Sequence, residues 1–166
     1  HIGKILIDLN SLHNNVLHEG FSLGKASVEI TGTYLVTGGT SGLGLEIAKW
    51  LCLKGIKKLI LISRKGVLSK NDLKYFYTKK IKLTVKAVDI TSYHQLKILF
   101  EDIGNLNELK GIIHTAALYK DDLITNMSEE NNTKVFMTKA AGAYYLDKLS
   151  LNYNLDNFIV LSSVST

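Results

Sequence analysis

A glycine-rich segment between an apolar run and an amphipathic run constrains this chain more than any other feature. The apolar run covers residues 34–36, and the amphipathic run begins at Leu45. A strand that passes through such a turn into a helix presents N–H groups and the positive end of the helix dipole to an anion. The pattern predicts a site for a dinucleotide pyrophosphate; the alternative is a turn that only packs a helix on a sheet. The turn consists of Thr37, Gly38, Gly39, Thr40, Ser41, Gly42, Leu43 and Gly44.

Three glycines have separate purposes in a turn of this kind. Gly38 allows the tight bend after the strand, Gly42 lets the backbone approach the phosphates, and Gly44 lets the helix pack close to the strand. Their spacing therefore predicts both the course of the backbone and the phosphate cradle.

The composition is that of an ordinary globular domain. Of 166 residues, 46% are hydrophobic and 21% are charged, which is enough apolar material for one domain with its own core. No apolar run reaches about 18 residues, so no membrane span is expected. The chain also lacks a secretory signal pattern, and because it begins with His1 we expect it to be a piece of something longer.

The single cysteine and the modest charge narrow the function classes. Cys52 alone can form neither a disulfide framework nor a zinc site, so we expect no metal, a small buried thiol and a reducing, cytoplasmic setting. The net charge is +5 and the lysines are scattered, which argues against a nucleic-acid surface. An acidic ligand, such as a phosphate-bearing cofactor or an acidic carrier domain, fits this sign.

Apolar runs alternate with helical patterns from residue 33 onward, which predicts an α/β fold. We expect a Rossmann-type, doubly wound parallel sheet with helices on both faces, ending after about the fifth strand. Residues 1–31 are interpreted as the tail of a preceding domain plus a connector, and 32–166 as the nucleotide-binding domain. The predicted strands are 33–36, 58–62, 83–88, 111–114 and 157–161. The predicted helices are 43–53, 70–78, 92–103 and a long one over 128–151.

The end of the second strand favours NADP over NAD. An acidic residue about 20 positions after the glycine turn would take the ribose 2′-hydroxyl, and this chain has Ser63 and Arg64 there instead. A guanidinium can hold a 2′-phosphate through two parallel hydrogen bonds. The alternative is a solvated arginine at a strand end.

The third and fourth strands end in further candidate cofactor residues. Asp89, followed by Ile90, could accept from the adenine amino group or could instead cap the next helix. His114 is either a site residue or a hydrogen-bonded structural histidine. Thr115, Ala116 and Ala117 are small enough for a cofactor to lie against the backbone.

These motifs together resemble the short-chain dehydrogenase/reductase family, and more narrowly the ketoreductase domain of polyketide synthases, which is related to that of animal fatty acid synthase. The resemblance covers about residues 33–166, and residues 1–5 are similar to the end of the enoylreductase domain that precedes it in fully reducing synthases. The motifs are TGGTSGLG (37–44), LISR (61–64), VDI (88–90), GIIHTAA (111–117), KAAGA (139–143) and FIVLSS (158–163).

The resemblance implies NADPH-dependent reduction of a β-keto group on an acyl chain, which a phosphopantetheine arm of an acyl carrier domain would present. In the family a tyrosine donates a proton to the carbonyl oxygen, a serine holds the carbonyl and a lysine lowers the pKa of the tyrosine. Ser163 and Lys139 match the serine and the lysine. Asp121 matches a substrate-side aspartate, but the triplet ending there begins Tyr119-Lys120 rather than Leu-Asp, which leaves the stereochemical class open.

The family tyrosine is expected about a dozen residues after Ser163, and the sequence stops at Thr166. We therefore expect this polypeptide by itself to be inactive or nearly so. Tyr75 with Lys79 and Tyr144 with Lys148 have tyrosine–lysine spacing, but packing and solvated faces explain them better. The alternatives are a stand-alone short-chain reductase or epimerase, and a cofactor-binding remnant without activity.

Overall fold

The computed structural model describes residues 31–104, 108–120, 123–126 and 128–162. All strand pairings in this part of the chain are parallel, and the order across the sheet is β3-β2-β1-β4-β5. This is the Rossmann strand order, so the predicted fold class is confirmed. The strands are β1 (Thr33–Thr37), β2 (Lys58–Ser63), β3 (Lys82–Ala87), β4 (Leu109–His114) and β5 (Asn157–Val160).

The helices match the predicted ones except in the last pattern. The expected helix over 128–151 is divided by a widened turn of π geometry at Met137–Ala141. A short 3-10 turn, Ile124–Asn126, precedes the first of the two helical parts. The helices are α1 (Gly42–Leu53), α2 (Lys70–Thr78), α3 (Tyr93–Ile103), α4 (Glu129–Phe136) and α5 (Gly142–Ser150).

The sheet separates two apolar cores, because neighbouring side chains of a strand point to opposite faces. Tyr34 and Val36 of β1 pack with α1 and α2, whereas Leu35 packs with α3 and α5. Cys52 belongs to the first core, as predicted, and burial raises the pKa of its thiol to about 11. The thiol therefore stays protonated near neutral pH.

The strand β5 lies at the sheet edge with apolar side chains partly exposed. Phe158, Ile159 and Val160 are each about two-fifths accessible to solvent. Among the helices that the structure describes, none is both long enough and apolar enough for a membrane span. The predicted tail of a preceding domain, residues 1–31, lies outside the described residues except for its last position.

Candidate functional site

A cleft of about 360 Å³ runs along the carboxyl ends of β1 to β4. Strand order reverses between β1 and β4, and ligands of open α/β sheets bind at such a point. Most predicted cofactor residues meet there, although Gly39, Thr40, Gly42 and His114 are not part of the lining. The lining residues that the sequence predicted are Thr37, Gly38, Ser41, Leu43, Gly44, Ser63, Arg64, Asp89, Ile90, Thr115, Ala116 and Ala117.

The N-terminus of α1 opens into this cleft without a side-chain cap. The N-cap residue Ser41 makes no capping hydrogen bond, and its neighbour Gly42 begins the helix. By contrast, Ser69, Ser92 and Ser128 each accept an N–H bond at the start of α2, α3 and α4. The first N–H groups of α1 are therefore available to an anion, and the helix dipole favours one.

Close packing of the turn on the end of β4 depends on two glycines. Gly38 adopts φ +66°, and a Cβ there would lie 3.0 Å from the hydroxyl oxygen of Thr115. A Cβ on Gly44 would lie 2.8 Å from the carbonyl carbon of Gly38 and still closer to its oxygen. Any side chain at Gly44 would therefore push α1 away from the strand ends and disturb the cradle.

A small hydroxyl network lies at the end of β2. The Ser63 hydroxyl oxygen accepts hydrogen bonds from the Thr40 hydroxyl at 2.7 Å and from the Gly66 N–H at 3.0 Å. Arg64 follows directly, is exposed and lines the cleft. No carboxylate in the described part of the chain forms an ion pair with it. The end of β2 thus presents a guanidinium and a hydroxyl side by side.

Asp89 lines the cleft in a half-buried position after β3. One of its carboxylate oxygens accepts from the N–H and the hydroxyl of Thr91, at 2.9 and 2.8 Å. Ser92, not Asp89, caps α3 by accepting the N–H of Gln95. The capping alternative for Asp89 is therefore wrong, and its hydrogen bonding to adenine stays a prediction.

Lys139 lies in the widened turn between α4 and α5. Its ammonium donates to the main-chain carbonyl of Leu161, just after β5, at 2.9 Å. The side chain is half-buried, and burial lowers the pKa of the ammonium. The neighbouring Thr138 lines the cleft. The turn therefore brings a partly desolvated cation to the carboxyl end of the sheet.

His114 ends β4 but is fully buried below the cleft. Its Nδ1 lies 2.7 Å from the Thr37 hydroxyl and its Nε2 lies 3.2 Å from the carbonyl oxygen of Lys139. Burial, with a smaller contribution from the Lys139 charge, lowers the pKa of the ring. The ring is therefore neutral near pH 7, and of the two alternatives the geometry matches the hydrogen-bonded structural histidine.

Two predicted site residues, Ser163 and Asp121, lie outside the described residues. The tyrosine–lysine pairs are on helix surfaces instead of in the cleft. Tyr75 packs edge-on against Phe76, and Tyr144 is exposed on α5 with the Lys148 ammonium 5.6 Å from its ring centre.

Sequence reasoning missed several residues that line the cleft. Most of them directly neighbour residues that were singled out: one run continues past Ala117, and another position precedes Lys139. The signal was available, because a ligand that lies along a strand end also meets the loop that follows. The missed residues are Ile62, Val88, Leu118, Tyr119 and Thr138. Within the described ranges, no three His, Cys, Asp or Glu residues are grouped so as to hold a metal ion.

The KR domain family model matches residues 32–166. The chain is 32% identical to the highly reducing polyketide synthase Preu5 of Preussia isomera, over 98% of this chain and 6% of that protein. It is 33% identical to a 6-methylsalicylic acid synthase of Arthrobotrys oligospora, over 80% of this chain and 8% of that protein. The chain thus spans less than a tenth of the length of either synthase.

Solved structures of polyketide synthase ketoreductases also match this chain. A ketoreductase domain from the bacillaene assembly line superposes with a TM-score of 0.75 at 33% identity, covering 81% of this chain and 33% of that one. A-type ketoreductases from modular polyketide synthase superpose with the same TM-score at 26% identity, covering 81% and 30%.

Proposed function

The chain belongs to the ketoreductase (KR) domain family of polyketide synthases, and we propose that its cleft binds NADPH for reduction of a β-ketoacyl thioester. NADPH, when bound, supplies the hydride. One observation carries the proposal: the uncapped N-terminus of α1 lies on the same cleft as Arg64, which forms no ion pair with any described carboxylate. These are two separate anion sites, as a pyrophosphate and a 2′-phosphate require.

The end of β2 supports NADPH over NADH. The Ser63 oxygen already accepts two hydrogen bonds, from Thr40 and Gly66, so its own proton remains for a ligand oxygen. Arg64 adds a planar fork of donors that fits a phosphate. A carboxylate at this position would repel the phosphate, and this strand end has none.

Lys139 is the proposed catalytic cation. A half-buried ammonium at the carboxyl end of the sheet favours the phenolate of a nearby tyrosine, which makes that phenol a better proton donor. We assign carbonyl binding to Ser163 and a substrate-side position to Asp121. The polypeptide of residues 1–166 lacks the tyrosine, so we propose that this piece alone binds the nucleotide without turnover.

The substrate would be an acyl chain on the phosphopantetheine arm of an acyl carrier domain, and the partners would be other domains of the same synthase. The long synthases that match this chain support that arrangement. The net charge of +5 suits an acidic carrier domain. Stand-alone reduction or epimerisation would need no carrier.

The experiment is steady-state oxidation of NADPH by the full-length protein with a β-ketoacyl thioester. We expect Lys139→Ala to lower kcat by about 100-fold or more, because the tyrosine loses the charge that makes it acidic. Lys134→Ala is the matched control. Among the described residues the Lys134 ammonium pairs with Glu130 at the surface, so its loss should leave kcat within about twofold. Nucleotide binding without any reduction by the wild-type protein would instead identify a non-catalytic domain.

A further inference from the structure

A ring of hydrogen bonds joins His114 at the end of β4, Lys139 in the widened turn and Leu161 just after β5. The His114 Nε2 meets the Lys139 carbonyl at 3.2 Å, and the Lys139 ammonium donates to the Leu161 carbonyl at 2.9 Å. The Leu161 N–H donates back to the His114 carbonyl at 3.1 Å. The sheet therefore holds Lys139 by two hydrogen bonds, one from His114 to its backbone carbonyl and one from its side chain to Leu161.

The Lys139 carbonyl determines which nitrogen of His114 carries the proton. A carbonyl oxygen can only accept, so in the neutral ring Nε2 bears the proton and donates to it. Nδ1 is then an acceptor, and the Thr37 hydroxyl, 2.7 Å away, donates to it. The Thr37 oxygen in turn accepts the N–H of Ala116 at 3.2 Å, which orients the hydroxyl.

The widened turn is built against this ring. The N–H of Gly142 is shared between the carbonyls of Lys139 and Met137, and its reach of five residues to Met137 opens the helix around Lys139. A Cβ on Gly142 would lie 2.7 Å from the Ile90 side chain and 3.5 Å from the ring of His114. Only glycine therefore lets the helix approach the sheet closely enough for this contact. Such π turns occur frequently at functional sites.

We propose that His114 is a positioning residue for Lys139: it holds the carbonyl of the widened turn so that the ammonium projects to the carboxyl end of β5. This inference rests on the proposed function, in which Lys139 acts on a tyrosine. His114 touches neither substrate nor cofactor, because it is buried and absent from the cleft lining. The lowered pKa of the ring agrees with this geometry, since burial, and to a smaller extent the Lys139 cation, disfavours an imidazolium at this position.

The test compares two amide variants in the full-length protein. The amide of His114→Gln can reach the position of Nε2 and donate to the Lys139 carbonyl, whereas the amide of His114→Asn is too short. Acetic anhydride labels the lysines across a range of pH, and mass spectrometry gives the labelling midpoint of Lys139. Lys134, exposed in the same peptide region, is the internal control, and kcat is measured in parallel.

We expect His114→Asn to move the Lys139 midpoint to higher pH, because an ammonium released into water loses the desolvation that lowers its pKa. The midpoint of Lys134 should stay unchanged. His114→Gln should keep the wild-type midpoint of Lys139 and most of kcat, while His114→Asn should lose about 10- to 100-fold in kcat. A purely structural histidine would change protein yield in both variants without this difference.

An unchanged Lys139 midpoint in folded His114→Asn would overturn the proposal, as would equal shifts in both amide variants. If neither variant folds, Thr37→Val decides, because it keeps the ring but removes the hydroxyl that donates to Nδ1 and orients the ring. A wild-type midpoint in Thr37→Val would then refute the positioning role. Failure of the wild-type protein to reduce a thioester would refute the proposed function alone, since labelling does not depend on turnover.

Discussion

Replacing Gly44 by alanine tests whether the packing of α1 on the strand ends controls nucleotide binding. The new Cβ would lie 2.8 Å from the Gly38 carbonyl carbon, whereas ordinary contact begins at about 3.4 Å. Because this carbon belongs to the backbone, it cannot rotate away as the end of a side chain could. The helix must move by about 0.6 Å or more, a kind of overpacking that costs about 1–3 kcal/mol. The higher helix propensity of alanine returns about 1 kcal/mol, so the net loss of stability is at most about 2 kcal/mol.

The same movement should weaken nucleotide binding. A hydrogen bond to a charged group contributes about 1.5–3 kcal/mol, and stretching one by more than half an ångström removes much of it. We therefore expect Gly44→Ala to raise the Kd for NADPH by about 10- to 100-fold in a fluorescence titration of the full-length protein. Hydrogen exchange at α1 amides measures the accompanying loss of stability.

The matched control is Gly55→Ala at the other end of α1. Gly55 has φ +103° with open space around its missing Cβ, so alanine costs about 1–2 kcal/mol through backbone strain alone. We expect that variant to lose α1 protection while it keeps the wild-type Kd. Equal losses of affinity in the two variants would refute the reasoning, because general destabilisation would then explain both.

Two further predictions concern pH and helix capping. The folded-state pKa of His114 lies below its ordinary value of 6.5, so between the two values the unfolded state binds more protons. Hydrogen exchange should therefore show that the protection of β4 amides is complete above about pH 6.5 and falls as the pH is lowered through that window; a pH dependence that persists in His114→Gln would contradict this. Ser69→Ala should destabilise α2 by about 1 kcal/mol, whereas Ser41→Ala should leave the stability of α1 unchanged because Ser41 forms no cap. Hydrogen exchange at the two helices measures both effects, and a larger loss of protection in α1 than in α2 would contradict the prediction.

The fold could be predicted from sequence because its signals are local. Each strand is a short apolar run, and each connecting pattern has helical period, so element type followed from β1 to β5 without tertiary information. Serines ahead of α2 and α4 mark the true starts of those helices. The widened turn at Met137–Ala141 was missed, because residues 128–151 keep a helical pattern and the extra residue is imposed by contact with the sheet.

The part of the candidate site that is formed by residues directly after the strands could be predicted from the sequence. Ser63, Arg64 and Asp89 follow their strands directly, and parallel strand ends meet at one edge. The direction of His114 was not predictable, because its partners Thr37 and Lys139 are 77 and 25 residues away in the chain. A histidine at a strand end can face the cleft or the core, and only tertiary packing decides between them.

Comparative titration of NADPH and NADH tests the central claim most directly. In the wild-type full-length protein, NADPH should bind more tightly than NADH. Arg64→Ala should raise the Kd for NADPH by about 10- to 100-fold, with less than about a threefold change for NADH, because only the 2′-phosphate loses a partner. Lys65→Ala, at an exposed position next to the cleft lining, should leave both values unchanged. Equal losses for the two nucleotides in Arg64→Ala, or tighter binding of NADH by the wild-type protein, would contradict the account.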